Sequence, residues 1–161
     1  NSETGKYYRI RLMLAAMWSA QEFLSTYGYT PLLFLAEKND YDTIDFLIMH
    51  GADPRQSQSS LTTPLHVACK NNNRELIDLF SDFTNLVVSQ NVDGDTPLHL
   101  VLKQKNDKMD RWVRLLINSG ADINKANNAG ETPKMLMHGI YDEKGFPIAY
   151  SGLLEHRFWS T

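Results

Sequence analysis

The sequence predicts an all-α fold, a solenoid of helix-turn-helix units joined by hairpin loops, forming a single domain over residues 1–161 with about four repeats and degenerate end caps. Two observations predict it. Thr-Pro occurs at Thr30-Pro31, Thr63-Pro64, Thr96-Pro97 and Thr132-Pro133, at intervals of 33, 33 and 36 residues, and self-similarity at such a period is the mark of stacked repeats. Apolar residues then recur at helical spacing in the second half of each of the first three units: Ile44, Leu47 and Ile48; Leu76, Ile77 and Phe80; Trp112, Val113, Leu116 and Ile117. No unit buries its apolar face alone, so neighbours must stack.

Taken in order, residues 7–28 read as a degenerate cap, because Ile10, Met13, Leu14, Met17 and Trp18 fall at helical intervals without a Thr-Pro start. Repeats follow at about 29–61, 62–94, 95–130 and 131–161. In each, the Thr hydroxyl accepts from free N–H groups of the first helical turn, and Pro suits the next position because its missing N–H had no helical partner. Gly51 and Gly120 stand just past the last apolar turn of an outer helix, where a left-handed terminating residue is favoured. The three extra residues of the third unit fall between its helices, around Lys105–Met109. The second unit departs twice. Leu61 occupies a turn position held elsewhere by Gly28, Gly94 and Gly130, which puts that turn's geometry in question, and Thr84-Asn85-Leu86 stands where Gly-Ala-Asp closes other units, so a less regular exit is expected. The fourth unit breaks at Asp142–Pro147, before a last helix expected from about Ile148 to Phe158.

Thr63-Pro64-Leu65-His66-Val67-Ala68 and Thr96-Pro97-Leu98-His99-Leu100 resemble the T-P-L-H-x-A signature of ankyrin repeats, and Gly51-Ala52-Asp53-Pro54 and Gly120-Ala121-Asp122-Ile123-Asn124 resemble the G-A-D-V-N that closes them. On these motifs the chain is identified as a single ankyrin-repeat domain. The resemblance implies that His66 and His99 brace their turns by bonding to nearby backbone. It also implies a function: binding another protein on the concave side, made of hairpin tips and the exposed face of the inner helices, without catalysis or cofactor.

Carried over position by position, the expected partner-binding tips are Tyr27 and Tyr29, then Gln58, Ser60 and Thr62, then Val92, Asp93 and Asp95, then Asn128 and Glu131. The inner-helix positions, seven and eight residues after each Thr, are Glu37 and Lys38, Lys70 and Asn71, Lys103 and Gln104. Lys70 and Lys103, with Lys38 one position off, suggest a basic ladder facing an acidic partner surface. Tyr29 ranks first as an anchor, since Tyr is large, fairly rigid and amphipathic.

Composition points the same way. A formal charge of −3 gives no general attraction to nucleic acid, and no stretch is long enough to span a bilayer. The apolar run Leu12–Trp18 after Lys6, Arg9 and Arg11 has a faint signal-peptide character, but a stacked amphipathic helix accounts for it equally well. One cysteine, Cys69, excludes an intrachain disulfide and falls in a small-residue slot of an inner helix. His50, His138 and His156 lack partners at metal-ligand spacing, and no phosphate loop, serine elbow or carboxylate pair appears. The expectation is a monomeric cytoplasmic or nuclear interaction module that binds no metal and no small-molecule substrate. The alternatives are a substrate- or host-targeting segment of a larger effector or enzyme, and an inhibitor of a transcription factor.

Overall fold

The computed structural model describes Gly5 and residues 30–55, 61–104 and 109–148. Among these residues eight helices follow in order: α1 Pro31–Glu37, α2 Tyr41–Met49, α3 Pro64–Lys70, α4 Arg74–Phe80, α5 Thr84–Val87, α6 Pro97–Gln104, α7 Met109–Asn118 and α8 Pro133–Met137. The Thr-Pro helices α1, α3, α6 and α8 pack against one another in succession and form the inner row, while α2, α4 and α7 each pack on the inner helix of their own unit. The expected cap at 7–28 and the helix expected beyond Ile148 lie outside the described residues.

Local chemistry explains each start. The hydroxyls of Thr30, Thr63, Thr96 and Thr132 accept from the N–H groups of Leu33, His66, His99 and Met135 at 3.2, 3.4, 3.4 and 3.2 Å. Between inner and outer helices the chain reverses at Asn39 and Asn72, with φ of 56° and 54°. Asn visits this left-handed region more readily than most residues. Asp40 and Asn73 follow at once and cap α2 and α4 by accepting from Thr43 and Leu76 N–H groups, and Asn73 Nδ2 donates to Asn39 Oδ1 at 2.9 Å, tying the first two units together.

The core lies between the rows. Leu33, Ile44, Leu47, Leu65, Leu76, Ile77, Phe80, Leu98 and Leu116 are fully buried, and Trp112 and Val113 join them. Fully burying a side chain of this kind stabilises by about 1.5–3 kcal/mol, so contacts between units hold the short helices together. Cys69 is buried among them, and burial pushes its thiol pKa up, leaving an unreactive group. No described buried side-chain polar atom lacks a hydrogen-bond partner.

The structure resolves three irregularities of the sequence. Leu61 keeps the left-handed turn with φ of 58°, its side chain exposed, so the missing glycine costs strain and not geometry. The second unit's exit is ordered too: Thr84–Val87 forms the one-turn helix α5, which buries Leu86 and Val87. In the fourth unit α8 is followed by a strap over residues 141–148. Tyr141 bridges Pro147, Asp142 N–H donates to the Phe146 carbonyl at 2.9 Å, and the Tyr141 hydroxyl donates to Asp110 Oδ1 on α7 at 2.7 Å. Asp110 is thus a hydrogen-bond acceptor for the strap. A Cβ at Gly145 would sit 3.1–3.2 Å from Val113, Ile117 and Arg114, so the strap lies close on α7.

Candidate partner-binding groove

Between the second and third units a groove with a cavity volume of about 700 Å³ opens on the side of the inner helices and hairpin tips. α1 contributes Glu37, α3 contributes His66, Val67 and Lys70, and α6 contributes Leu100, Lys103 and Gln104. Thr62, Asn71 and the finger residues Asn91, Val92, Asp93 and Asp95 complete the lining.

Two fingers, at residues 91–95 and 127–131, are each braced by one asparagine. Asn91 Oδ1 accepts from the N–H groups of Asp93 and Asp95, both at 3.0 Å, and Asn127 Oδ1 accepts from Ala129 and Glu131 at 3.0 and 2.9 Å. The two fingers stack edge to edge: Asn128 N–H donates to the Asp93 carbonyl at 2.9 Å, and its Nδ2 donates to the Val92 carbonyl at 2.8 Å. Gly94 is required here. Its φ is 76°, and a Cβ would meet Asn128 N and Oδ1 at 2.7 Å.

His66 and His99 tie each inner helix to the next finger. The Thr63 N–H donates to His66 Nδ1 at 3.2 Å, so Nε2 carries the ring proton and donates to the Asp95 carbonyl at 2.9 Å. His99 repeats this between Thr96 N–H and the Glu131 carbonyl, at 3.1 and 2.9 Å. Burial lowers the pKa of His66, outweighing the hydrogen bonds that favour its charged form.

Electrostatics revise the expected ladder. Lys103 Nζ lies 2.8 Å from Asp95 Oδ2 and 3.8 Å from Glu131 Oε1, and Asn127 Nδ2 donates to Asp95 Oδ1 at 2.8 Å. The Asp95 side chain is only 7% exposed, against 39% for Lys103. Burial works to raise the Asp95 pKa, but the hydrogen bonds from Lys103 and Asn127 win and hold it below the ordinary carboxylate value. Asp95 is therefore consumed by the fold. Lys38 stands over the Phe34 ring, 5.6 Å from its centroid, and does not line the groove. Lys70 alone of the three lysines makes neither an ion pair nor a ring contact among the described residues. The lining carries Glu37, Asp93 and Asp95 against Lys70 and Lys103, so it is not a basic surface.

Of the residues singled out from sequence, Glu37, Thr62, Lys70, Asn71, Val92, Asp93, Asp95, Lys103 and Gln104 come together along this groove. Asn128 and Glu131 lie beyond it on the next finger, and Tyr27, Tyr29, Gln58 and Ser60 fall outside the described residues. Gln104 is half-buried and braces the preceding helix, with Nε2 donating to the Cys69 carbonyl at 2.6 Å. Four lining residues were not among the expected contacts: His66, Val67, Leu100 and, bracing its finger, Asn91. The signal for the last was present: Asn91 and Asn127 both stand five residues before a capping Thr. Among the described residues no cluster of His, Cys, Asp and Glu has the geometry of a metal site, and no helix is long and apolar enough to cross a membrane.

Comparison with known proteins agrees with this architecture. The pattern describing three-copy ankyrin repeats matches residues 3–85, 32–127 and 65–143. The chain is 36% identical over 92 residues to ankyrin repeat and SOCS box protein 5 of Oryctolagus cuniculus, covering 57% of this chain and 27% of that protein. It is 31% identical over 107 residues to an ankyrin repeat-containing protein of Saccharomyces cerevisiae, covering 63% and 56%. It is also 27% identical over 111 residues to the transient receptor potential cation channel subfamily A member 1 of Homo sapiens, covering 68% and 10%. The matched region thus spans between a tenth and just over half of these relatives' lengths. Repeats of this kind serve in general as non-catalytic protein–protein interaction modules, and with their pattern matched from residue 3 to residue 143 the chain belongs to the ankyrin-repeat family.

Proposed function

We propose that this chain captures a partner protein on the concave side of its stack, using the inner-helix face and hairpin tips and performing no chemistry itself. The observation that carries this reading is the groove of about 700 Å³, whose walls are set by the Asn-braced fingers and the His66 and His99 links. Such a surface is formed before binding, so little ordering entropy opposes association. The contacts assigned to it are Glu37, Lys70, Asn71, Val92 and Asp93 of the groove, Asn128 and Glu131 on the neighbouring finger, and Tyr29 as the anchor expected from sequence. An intracellular setting, cytoplasmic or nuclear, belongs to the same reading. The relatives' greater length supports a companion reading, in which the module targets a longer polypeptide to its partner.

Proximity labelling with the wild-type chain and its variants tests the assignment. Proteins labelled by the wild type should be lost with Lys70→Glu or Tyr29→Ala and retained with the outer-helix pair Asp45→Lys and Asp78→Lys. If the outer-helix pair abolishes labelling while both concave variants label like wild type, at unchanged melting temperature, the concave assignment is wrong.

A further inference from the structure

The groove has a charge order that its composition conceals. Seven residues after each capping Thr stand Glu37, Lys70 and Lys103, one row across three inner helices. The residue immediately before that Thr is Thr62 in the second unit and Asp95 in the third. Where it is Asp, its carboxylate reaches the lysine eight residues on, with both oxygens 2.8–2.9 Å from Lys103 Nζ. Where it is Thr, the equivalent lysine, Lys70, has no carboxylate within ion-pairing distance among the described residues. Glu37 and Asp93 are likewise exposed and make no ion pair among those residues.

We infer that the row presented to a partner reads acid, base, neutralised base, and that the groove takes an extended peptide segment carrying a cationic side chain for Glu37 and an anionic one for Lys70 about three residues apart. The inference deepens the concave-capture reading above and rests on it. Its spacing comes from two lengths: neighbouring rungs are roughly 10 Å apart, as packed helices are, and an extended chain of polyproline II type advances about 3.1 Å per residue with three residues per turn, so side chains three apart point the same way. A partner helix would instead place the same two charges about seven residues apart, at about 1.5 Å rise per residue, so the spacing found in the experiment below separates the two occupants. A uniformly acidic segment is disfavoured by charge, because Glu37 and Asp93 would both face it. Val92, 60% exposed, and half-buried Leu100 offer an apolar seat beside the row for one neighbouring partner side chain.

A phage-displayed random library of 12-residue peptides, panned on the whole 161-residue chain, reads the preference directly. Enriched peptides should share a basic and an acidic residue three positions apart. Synthetic copies should bind Lys70→Gln and Thr62→Asp about threefold to fivefold more weakly, as loss of one exposed ion pair implies, because Thr62→Asp neutralises Lys70 as Asp95 neutralises Lys103. Asp95→Asn should leave Lys103 with only the longer contact to Glu131 and shift enrichment toward peptides with a second acid three residues further on. Should that variant unfold, the other two still decide. Failure to enrich any peptide, enrichment of purely acidic peptides, or unchanged binding to both Lys70→Gln and Thr62→Asp overturns the inference. If bound peptides are instead displaced by Asp45→Lys and Asp78→Lys and not by any groove variant, the concave reading fails as well; if groove variants weaken binding but the spacing is absent, only this inference fails.

Discussion

Replacing His66 by Ala tests how neighbouring units are joined. The ring is 1% exposed and holds two groups, the Thr63 N–H at 3.2 Å and the Asp95 carbonyl at 2.9 Å. Without it the Thr63 N–H is left buried with no acceptor, at a cost of about 1–3 kcal/mol. The Asp95 carbonyl loses less, because it still accepts from Asn91 N–H at 3.0 Å. The void left by the ring adds about 1 kcal/mol, for an expected loss of about 2–4 kcal/mol, a large share of a typical domain's 5–15 kcal/mol. Urea unfolding followed by circular dichroism at pH 7.5 measures it. A second readout is pH. The folded-state pKa of His66 is lowered by burial from 6.5, so below pH 6.5 the unfolded chain binds a proton that the fold resists, and stability falls with falling pH. Above 6.5 both states are neutral at this site and its contribution is fully present. Wild type should therefore lose stability between pH 6.5 and 5, and the variant should lose less over the same window. A change under 1 kcal/mol at pH 7.5 together with an undiminished acid slope would refute the proposed link.

Three further substitutions probe the irregular places. Gly94→Ala should cost more than about 2 kcal/mol because its Cβ meets Asn128 at 2.7 Å, whereas Gly130→Ala, with φ of 80° and open space around it, should cost only the left-handed penalty of about 1–2 kcal/mol; equal midpoints in urea would contradict the finger contact. Leu61→Gly should stabilise by up to about 1 kcal/mol by relieving a non-glycine residue at φ of 58°, and a lowered melting temperature would show that the exposed Leu side chain contributes packing. Tyr141→Phe removes the hydroxyl bond to Asp110 and should cost about 1 kcal/mol, with faster amide exchange at Asp142 and Ile148, whose N–H groups bond within the strap; unchanged exchange there would mean the strap holds without that bond.

The sequence by itself determined the inner row. Thr30, Thr63, Thr96 and Thr132 cap their helices through bonds that span three residues, and a signal of that range is complete within any short window of the chain. The same holds for the stripes of α2, α4 and α7, whose buried faces repeat within two turns, and for the register that brought Glu37, Lys70 and Lys103 into one row. The tertiary structure alone decided which of those residues remain available. Whether Lys103 is offered to a partner depends on a finger folding back so that Asp95 meets it, and on Asn127, 32 residues on, which orients that carboxylate. His66 likewise finds its second partner 29 residues away. The docking of the strap on α7 and the ordering of Thr84–Val87 are of this kind too: Asp142 and Gly145 turn the strap locally, but burial of Tyr141, Leu86 and Val87 and the bond to Asp110 depend on neighbouring units.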